Sequence, residues 1–306
     1  MQSRFGYAVM RDNRTITYGL HTTANTTKPP VAVVVPVHNH LPLTLSFLDS
    51  FGQVRYPNYL LIVVDDGSTD GTAEAMAKQY PQVVRLQGDG NLWWAGAVNR
   101  GVRHALAEGF QYVLTINNDT SVSPDFLDQL VETAERYPRS IVGARINIMD
   151  EPERIWAVGG LVQWSSGVLL QLRCCGLREK EVLVTLPDPC PADVLTGCGT
   201  LVPTDCYREV GLYDERWLPQ YHGDSEFVLR ARRRGYQPLV ALRAVIWNNA
   251  RVTCTSPNLF SRRSPWYWRP VFAILFRYCP WRYIPSLLIR HYGHALGTIR
   301  AGRTVG

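Results

Sequence analysis

Long hydrophobic runs are missing from this 306-residue chain. Near its C-terminus the longest uninterrupted apolar stretch is Val271 to Phe276, far short of the roughly 20 residues that a bilayer-spanning helix requires. The seven cysteines include no Cys-x-x-Cys pair and are odd in number, which speaks against a zinc knuckle or a full disulfide framework and for reduced thiols. Phosphate-cradling glycine loops are missing too: no G-x-G-x-x-G follows the first strand, and no G-x-x-x-x-G-K-[ST] occurs. Met1 to Pro30 is polar and Thr/Asn-rich. It has no apolar segment of the kind a secretory signal carries, so a cytoplasmic location is expected. With 46% apolar residues the chain has ample material for a core, and disordered or collagen-like classes are excluded.

Acidic side chains are absent from one region. Between Arg251 and Gly306 there are nine arginines, ten aromatic residues and no Asp or Glu, so the overall charge of +6 belongs to this tail and residues 1–250 carry a net −3. Arginine interleaved with aromatics suits an anionic membrane surface or nucleic acid. A basic helix pair packed on the main domain is the alternative. Pro265, Pro270, Pro280 and Pro285 break any long helix, so short interfacial helices are expected.

Strand and helix alternate between these termini. Val31–Val37 and Tyr59–Val64 are β-branched apolar runs, the pattern of strands buried on both faces of a parallel sheet. Val83–Leu86 and Tyr112–Ile116 continue the series, with helical stretches at about Leu43–Gln53, Ala73–Tyr80 and Ala95–Glu108. Ser68 or Asp70 is placed to cap the second helix. Four such alternations within about ninety residues predict a doubly wound α/β layer structure, whose ligands lie beyond the carboxyl ends of the strands. Those ends read Pro36-Val-His-Asn39, Asp65-Asp-Gly67, Gly88-Asp-Gly-Asn91 and Asn117-Asn-Asp119. Carboxylates without a phosphate loop imply that a divalent cation handles any phosphate.

Val33-Val-Val-Pro-Val-His-Asn39, Val64-Asp-Asp-Gly-Ser-Thr-Asp70, Ile116-Asn-Asn-Asp119 and Asp224-Ser-Glu226 resemble, in order and spacing, the family 2 glycosyltransferases of the GT-A fold. Asn91-Leu-Trp-Trp-Ala-Gly-Ala-Val-Asn-Arg-Gly101 is similar to a stretch of the bacterial rhamnosyltransferase-like subgroup that builds surface polysaccharides. The resemblance implies a Rossmann-like, mostly parallel sheet with helices on both faces and a short C-terminal helical tail. Its divisions are a polar extension at 1–28, the glycosyltransferase domain at 29–250 and the basic aromatic tail at 251–306. It further implies inverting transfer of a sugar from a UDP- or dTDP-sugar to a glycan or lipid-linked acceptor, at the inner face of the cell membrane.

Residue by residue, the resemblance assigns Pro36, His38, Asn39, Asp65, Asp66, Asn91, Trp94, Asn99 and Asn118 to the donor nucleotide. Asp65 or Asp66 accepts the imide N–H of the base through a charge-assisted bond. Asp119 is assigned to a Mg²⁺ or Mn²⁺ ion, with Asn117 where the family has its first metal carboxylate. A further departure is Val245-Ile-Trp-Asn-Asn249, where members often carry a metal-binding His; Trp247 cannot bind a hard ion and Asn248 offers only a neutral oxygen. Asp224 aligns with the catalytic base, Gly223 standing where a Glu is usual. Gly197, Cys198, Trp156 and Glu226 are assigned to the acceptor side, with Trp164 a further stacking candidate. Glu226 is also spaced to pair with Arg230 at i,i+4. Cys198 is expected to be a buried inert thiol, and Gly211–Glu215 to be scaffold. Two other readings remain at this stage: a nucleotidyltransferase, which would not need Asp224, and a nucleic-acid-binding protein using the tail. The second leaves the strand-end carboxylates unexplained, so no nucleic acid is expected.

Overall fold

The computed structural model describes residues 9–11, 14–16, 28–166, 169–249, 260–262, 264 and 267–300. Most of the expected extension and the first part of the tail, including Arg251, Pro265 and Trp266, lie outside the described residues. A small antiparallel hairpin, β1 (Val9–Arg11) with β2 (Arg14–Ile16), stands before the main domain.

The four sequence-predicted alternations form as β3 (Val31–Val37), α1 (Leu41–Phe51), β4 (Tyr59–Asp65), α2 (Thr72–Gln79), β5 (Val84–Gln87), α3 (Trp93–Ala107) and β6 (Tyr112–Thr115). Each lies within two residues of its expected bounds. Then follow β7 (Thr120–Val122), α4 (Phe126–Arg136), β8 (Ser140–Ile148), β9 (Glu151–Ala157), β10 (Gly160–Leu161), β11 (Gln171–Leu172), α5 (Glu179–Val182), β12 (Cys190–Pro191), β13 (Thr200–Pro203), α6 (Thr204–Val210), α7 (Gly223–Arg232) and β14 (Gln237–Asn248). Two tail helices, α8 (Trp268–Tyr278) and α9 (Ile284–Arg300), close the order.

The main sheet runs β12-β14-β8-β13-β6-β3-β4-β5, with β7 on β14 and β9 on β8. Pairs β3/β4, β3/β6, β4/β5 and β8/β14 are parallel, whereas β13 lies antiparallel between β6 and β8. That reversed strand positions the site. It carries the loop before Thr200 to the same sheet edge at which β3, β4 and β6 end, because Thr200 is in register with Thr115.

Both faces are covered, as the apolar runs require. Val31, Val33 and Val35 face a core built with α1, α2 and α4, while Ala32 and Val34 face one built with α3, α6 and α7. Gly101 lets α3 settle onto β3; a Cβ there would stand 2.4 Å from Val34 Cγ1. Asp70 accepts the Thr72 N–H at 3.2 Å and the Leu41 N–H at 2.8 Å, so from the position before the N-cap, Gly71, it ties the start of α2 to the start of α1. The Thr72 hydroxyl and these amides hold its carboxyl below the usual range.

Of the two forms expected for the tail, α8 takes the packed one. Val271, Ala273, Ile274 and Leu275 of α8 are buried in a third cluster with Leu218 and Leu229, so this helix packs on α7 and does not lie free for a membrane. Pro270 sits in the first turn of α8, where no helical N–H is lost. Pro285 likewise opens α9, which runs 17 residues. Among the described residues no helix is long and apolar enough to cross a membrane.

Candidate functional site

A cleft of about 590 Å³ opens at the carboxyl edge of β3, β4 and β6. Of the sequence-predicted residues, Pro36, His38, Asn39, Asp66, Trp94, Asn118 and Asp119 line it. Gly90 and Asn117 of the predicted strand ends line it as well, as does Trp93, which with Trp94 was expected to supply one stacking ring; His40, Gln220 and Tyr221 also line it, without a role assigned from the sequence.

One wall is the loop after β3. The His38 Nδ1–H donates to the Asp66 carbonyl (2.6 Å), and the Asn39 amide donates to His38 Nε2 (3.2 Å). Both bonds are met by one neutral tautomer. Asn39 also accepts from the Thr69 N–H (2.8 Å) and donates its backbone N–H to Ser68 Oγ (2.8 Å). His38 is therefore a wall residue. Asn39, His40, Trp93 and His222, all at or beside the cleft, have φ between 58° and 62°, a left-handed conformation that costs non-glycine residues roughly 1–2 kcal/mol each. The surrounding bonds hold it, as is common where ligands bind.

The two adjacent aspartates separate. Asp65 is fully buried, accepts from the Ser68 N–H (2.9 Å) and stands 3.6 Å from Arg85. As the last strand residue it points away from the cleft, which corrects its assignment to the donor. Asp66 faces the cleft, with Oδ1 accepting from Gly90 N–H (2.8 Å) and Oδ2 from Leu92 and Trp93 N–H (3.0 and 3.1 Å). It organises the loop that starts α3, where backbone N–H groups favour an anion.

Trp94 joins four segments. Its indole N–H donates to Asn117 Oδ1 (3.1 Å), its backbone N–H to Gln220 Oε1 (3.2 Å), and its ring meets Tyr213 edge-on. A Cβ on Gly197 would lie 2.2 Å from this ring, so the 196–199 loop presses directly on it. Gly197 in turn donates its N–H to Asp224 Oδ2 (2.6 Å), and Ser225 N–H donates to Oδ1 (2.7 Å). Asp224 thus stands at the first turn of α7, next to but not among the lining residues. Burial raises its carboxyl above the usual range although these amides pull it down.

Asp119 is the site's unsatisfied group. Its Oδ1 is buried with no hydrogen-bond partner, and burial again raises the carboxyl, with the nearby His40 opposing. The Asn249 N–H donates to its carbonyl (3.0 Å), so the end of β14, with Trp247 and Asn248, does arrive beside it. No group of three or more His, Cys, Asp or Glu side chains suited to a metal occurs among the described residues. Among metal-binding arrangements, this suits a hard ion held by one carboxylate and by oxygens of a substrate. The strain has a measurable consequence. A carboxyl raised above its unfolded value makes the fold less stable as pH rises through that raised value. Without added divalent metal, Asp119→Asn is expected to unfold at higher temperature than the native protein at pH 7, by the order of 1 kcal/mol. The difference closes below the ordinary carboxylate range; equal melting at neutral pH would show that the buried oxygen is not strained.

Several other assignments are corrected by what these side chains touch. Asn99 is wholly buried and binds the 213–215 turn, donating to Tyr213 O (2.9 Å) and Glu215 Oε1 (2.6 Å). Asn91 is exposed outside the cleft, its N–H bound to Asp89. Trp156 packs against the core and Trp164 against the tail cluster. Glu226 is 1% exposed and is held by Arg230, Arg277 and Tyr278, out of reach of an acceptor. Gly197 and Cys198 belong to the loop under Trp94, and burial pushes the Cys198 thiol far up, leaving it inert.

The model of glycosyl transferase family 2 matches residues 32–177. The chain is 27% identical over 232 residues to an N-acetylglucosaminyl-diphospho-decaprenol L-rhamnosyltransferase of Mycobacterium tuberculosis, covering 68% of this chain and 71% of that one. It is 26% identical over 192 residues to an uncharacterized glycosyltransferase of Rickettsia typhi, covering 62% and 55%. Among solved structures, S. aureus TarS 1–349 in complex with UDP-GlcNAc superposes with a TM-score of 0.56 at 15% identity, over 86% of this chain and 73% of that one. A Pyrobaculum calidifontis mannosyltransferase in complex with GDP-Man and Mn²⁺ gives 0.54 at 19%, over 92% and 77%. At such identities the likeness is one of fold, the GT-A fold. The family match spans all four strand ends and Asp119, the segment that builds most of the cleft. On that ground residues 32–177 carry a glycosyltransferase family 2 domain, and the chain is a glycosyltransferase.

Proposed function

We propose that the chain is an inverting glycosyltransferase that moves a sugar from a UDP- or dTDP-sugar to a glycan or lipid-linked acceptor in cell-surface polysaccharide synthesis. The observation that carries this reading is the buried, unpartnered Asp119 Oδ1. It lies in a cleft with no Lys or Arg among its described lining residues. A diphosphate would meet no lysine or arginine of the described lining, although Arg262 stands 5.8 Å from the centroid of the Trp93 ring, and an isolated buried carboxylate is costly. Asp119 would hold a divalent ion there, and such an ion would supply positive charge to the departing diphosphate.

The protein's residues divide the remaining work. Asp66 keeps a free lone pair on Oδ1 and takes the imide N–H of uracil or thymine, while Pro36, His38 and Asn39 wall the nucleotide. Asn118, anchored to the Thr44 hydroxyl at 2.9 Å, places Asp119. Asp224 removes the proton from the acceptor hydroxyl as that oxygen bonds to the anomeric carbon. The bond from that carbon to the diphosphate oxygen breaks on the opposite face, and the nucleoside diphosphate leaves. A carboxyl pushed up by burial is a stronger base than an exposed one, which suits this task. The lipid-linked acceptor is suggested by the name of the mycobacterial relative.

With one carboxylate available, metal and donor are expected to bind together. Calorimetric titration should find that UDP tightens Mn²⁺ binding by about 10-fold or more, that Mn²⁺ tightens UDP binding equally, and that Asp119→Asn abolishes both effects. UDP and dTDP binding that ignores Mn²⁺ would remove the metal from the account; no binding of either would remove the donor assignment.

A further inference from the structure

The tail helices present an outward face that the packing does not use. From Trp281 to Arg300 the chain is helical, first as a 3₁₀ turn at Trp281–Tyr283 and then as α9. Its inner side is spent: Leu287 is buried, and Ile284, Leu288 and Tyr292 pack on the cluster shared with α7 and α8. On the other side Trp281 is 84% exposed and Ile289 73% exposed, with Pro285 exposed midway between them. Spacings of four place these three in one stripe, and Arg282 and Arg290 are exposed in the stripe beside it. Phe276, 66% exposed, lies in the last turn of α8 just before this segment. Burial cannot account for these apolar groups, since the helix already has its buried side.

We propose that this face docks on an anionic lipid surface, Trp281 and Ile289 entering the boundary between headgroups and acyl chains and Arg282 and Arg290 meeting lipid phosphates. Charge complementarity supports that occupant, because residues 251–306 hold no Asp or Glu to oppose it. Membrane-surface helices carry this pairing of aromatic and aliphatic groups with arginine. A nucleic acid is the poorer fit: an aliphatic Ile and a Pro offer no ring to stack on a base. Arg277 shares the composition but not the role, being turned inward to Asp214 (2.7 Å) and Glu226. The inference rests on the tail's own surface and stands apart from the acceptor assigned above.

The test uses the full chain and vesicles, with no donor or acceptor present. The protein is expected to co-sediment with phosphatidylcholine vesicles containing phosphatidylglycerol, and much less with phosphatidylcholine alone. Trp281→Ser with Ile289→Ser should weaken the partition at least about tenfold. Arg282→Ala with Arg290→Ala should weaken it about 30-fold at low salt, with UDP binding unchanged in both variants. The proposal is overturned if the native chain stays in the supernatant with anionic vesicles or if the Trp281/Ile289 variant pellets equally. It is also overturned if that variant instead disperses a dimer or removes single-stranded DNA binding while vesicle binding persists.

Discussion

Replacing Asp224 with Asn is expected to slow sugar transfer by about 10²–10⁴-fold while UDP affinity stays within about twofold of the native value. The reason is positional. Asp224 is not among the residues that line the cleft, and its carboxylate is held by the Gly197 amide and by the amide and side chain of Ser225, so no part in holding the nucleotide is expected of it. Each of its oxygens keeps a second lone pair for an acceptor hydroxyl, and burial keeps the carboxyl readier to take a proton than an exposed one. The pH profile separates catalysis from a merely capping role. Native kcat/KM should fall on the acid side through a value above the ordinary Asp range, since the base works only when ionised; with metal saturating, Asp119 contributes little to that limb. The Asn variant should lose the limb. Turnover within about tenfold of native, with the limb intact, would assign the base elsewhere. A thermal melt guards against the alternative that the variant simply loosens the 196–199 loop.

The largest effect on stability is expected from Glu226→Ala. This carboxylate receives Arg230 Nη2 at 3.1 Å, Arg277 Nη1 at 3.4 Å and the Tyr278 hydroxyl at 2.7 Å, at 1% exposure. Removing it leaves two guanidinium groups facing each other around a void, and breaking such a buried arrangement from one side costs about 3–5 kcal/mol. Arg277 and Tyr278 belong to α8, so the loss should free that helix before the sheet unfolds. Urea denaturation measures the first effect, and limited proteolysis in the 260–280 segment the second. Acceptor KM of the folded fraction should not change, because Glu226 does not reach the cleft. A loss below about 1 kcal/mol would mean that Asp214 alone suffices to hold Arg277.

These two carboxylates lie two residues apart in one motif, and their different fates show where the sequence stops being informative. At the first turn of a helix, residues two apart point to different sides. One meets the 196–199 loop brought in by β13, and the other meets a tail helix some fifty residues away. Neither neighbour is visible locally. The same holds for Asp65, the last residue of β4, and Asp66, the first of the loop after it, which turn to different neighbours, and for Asn99, whose partners at Tyr213 and Glu215 come from a distant turn. His40 and Gln220 reach the cleft through left-handed or looped backbone that leaves no periodic signal.

Local chemistry alone made the strands legible: runs such as Val31–Val37 are too uniformly apolar for anything but a doubly covered sheet, and the carboxylates and amides that end them mark its ligand-bearing edge. Tertiary packing decided which of those polar groups keeps an unpaired oxygen, which is consumed by backbone amides, and which arginines of the tail turn inward. The physical reason is that burial and partnership are properties of neighbours far apart in the chain. A carboxylate's role depends on them as much as on its own place in a motif.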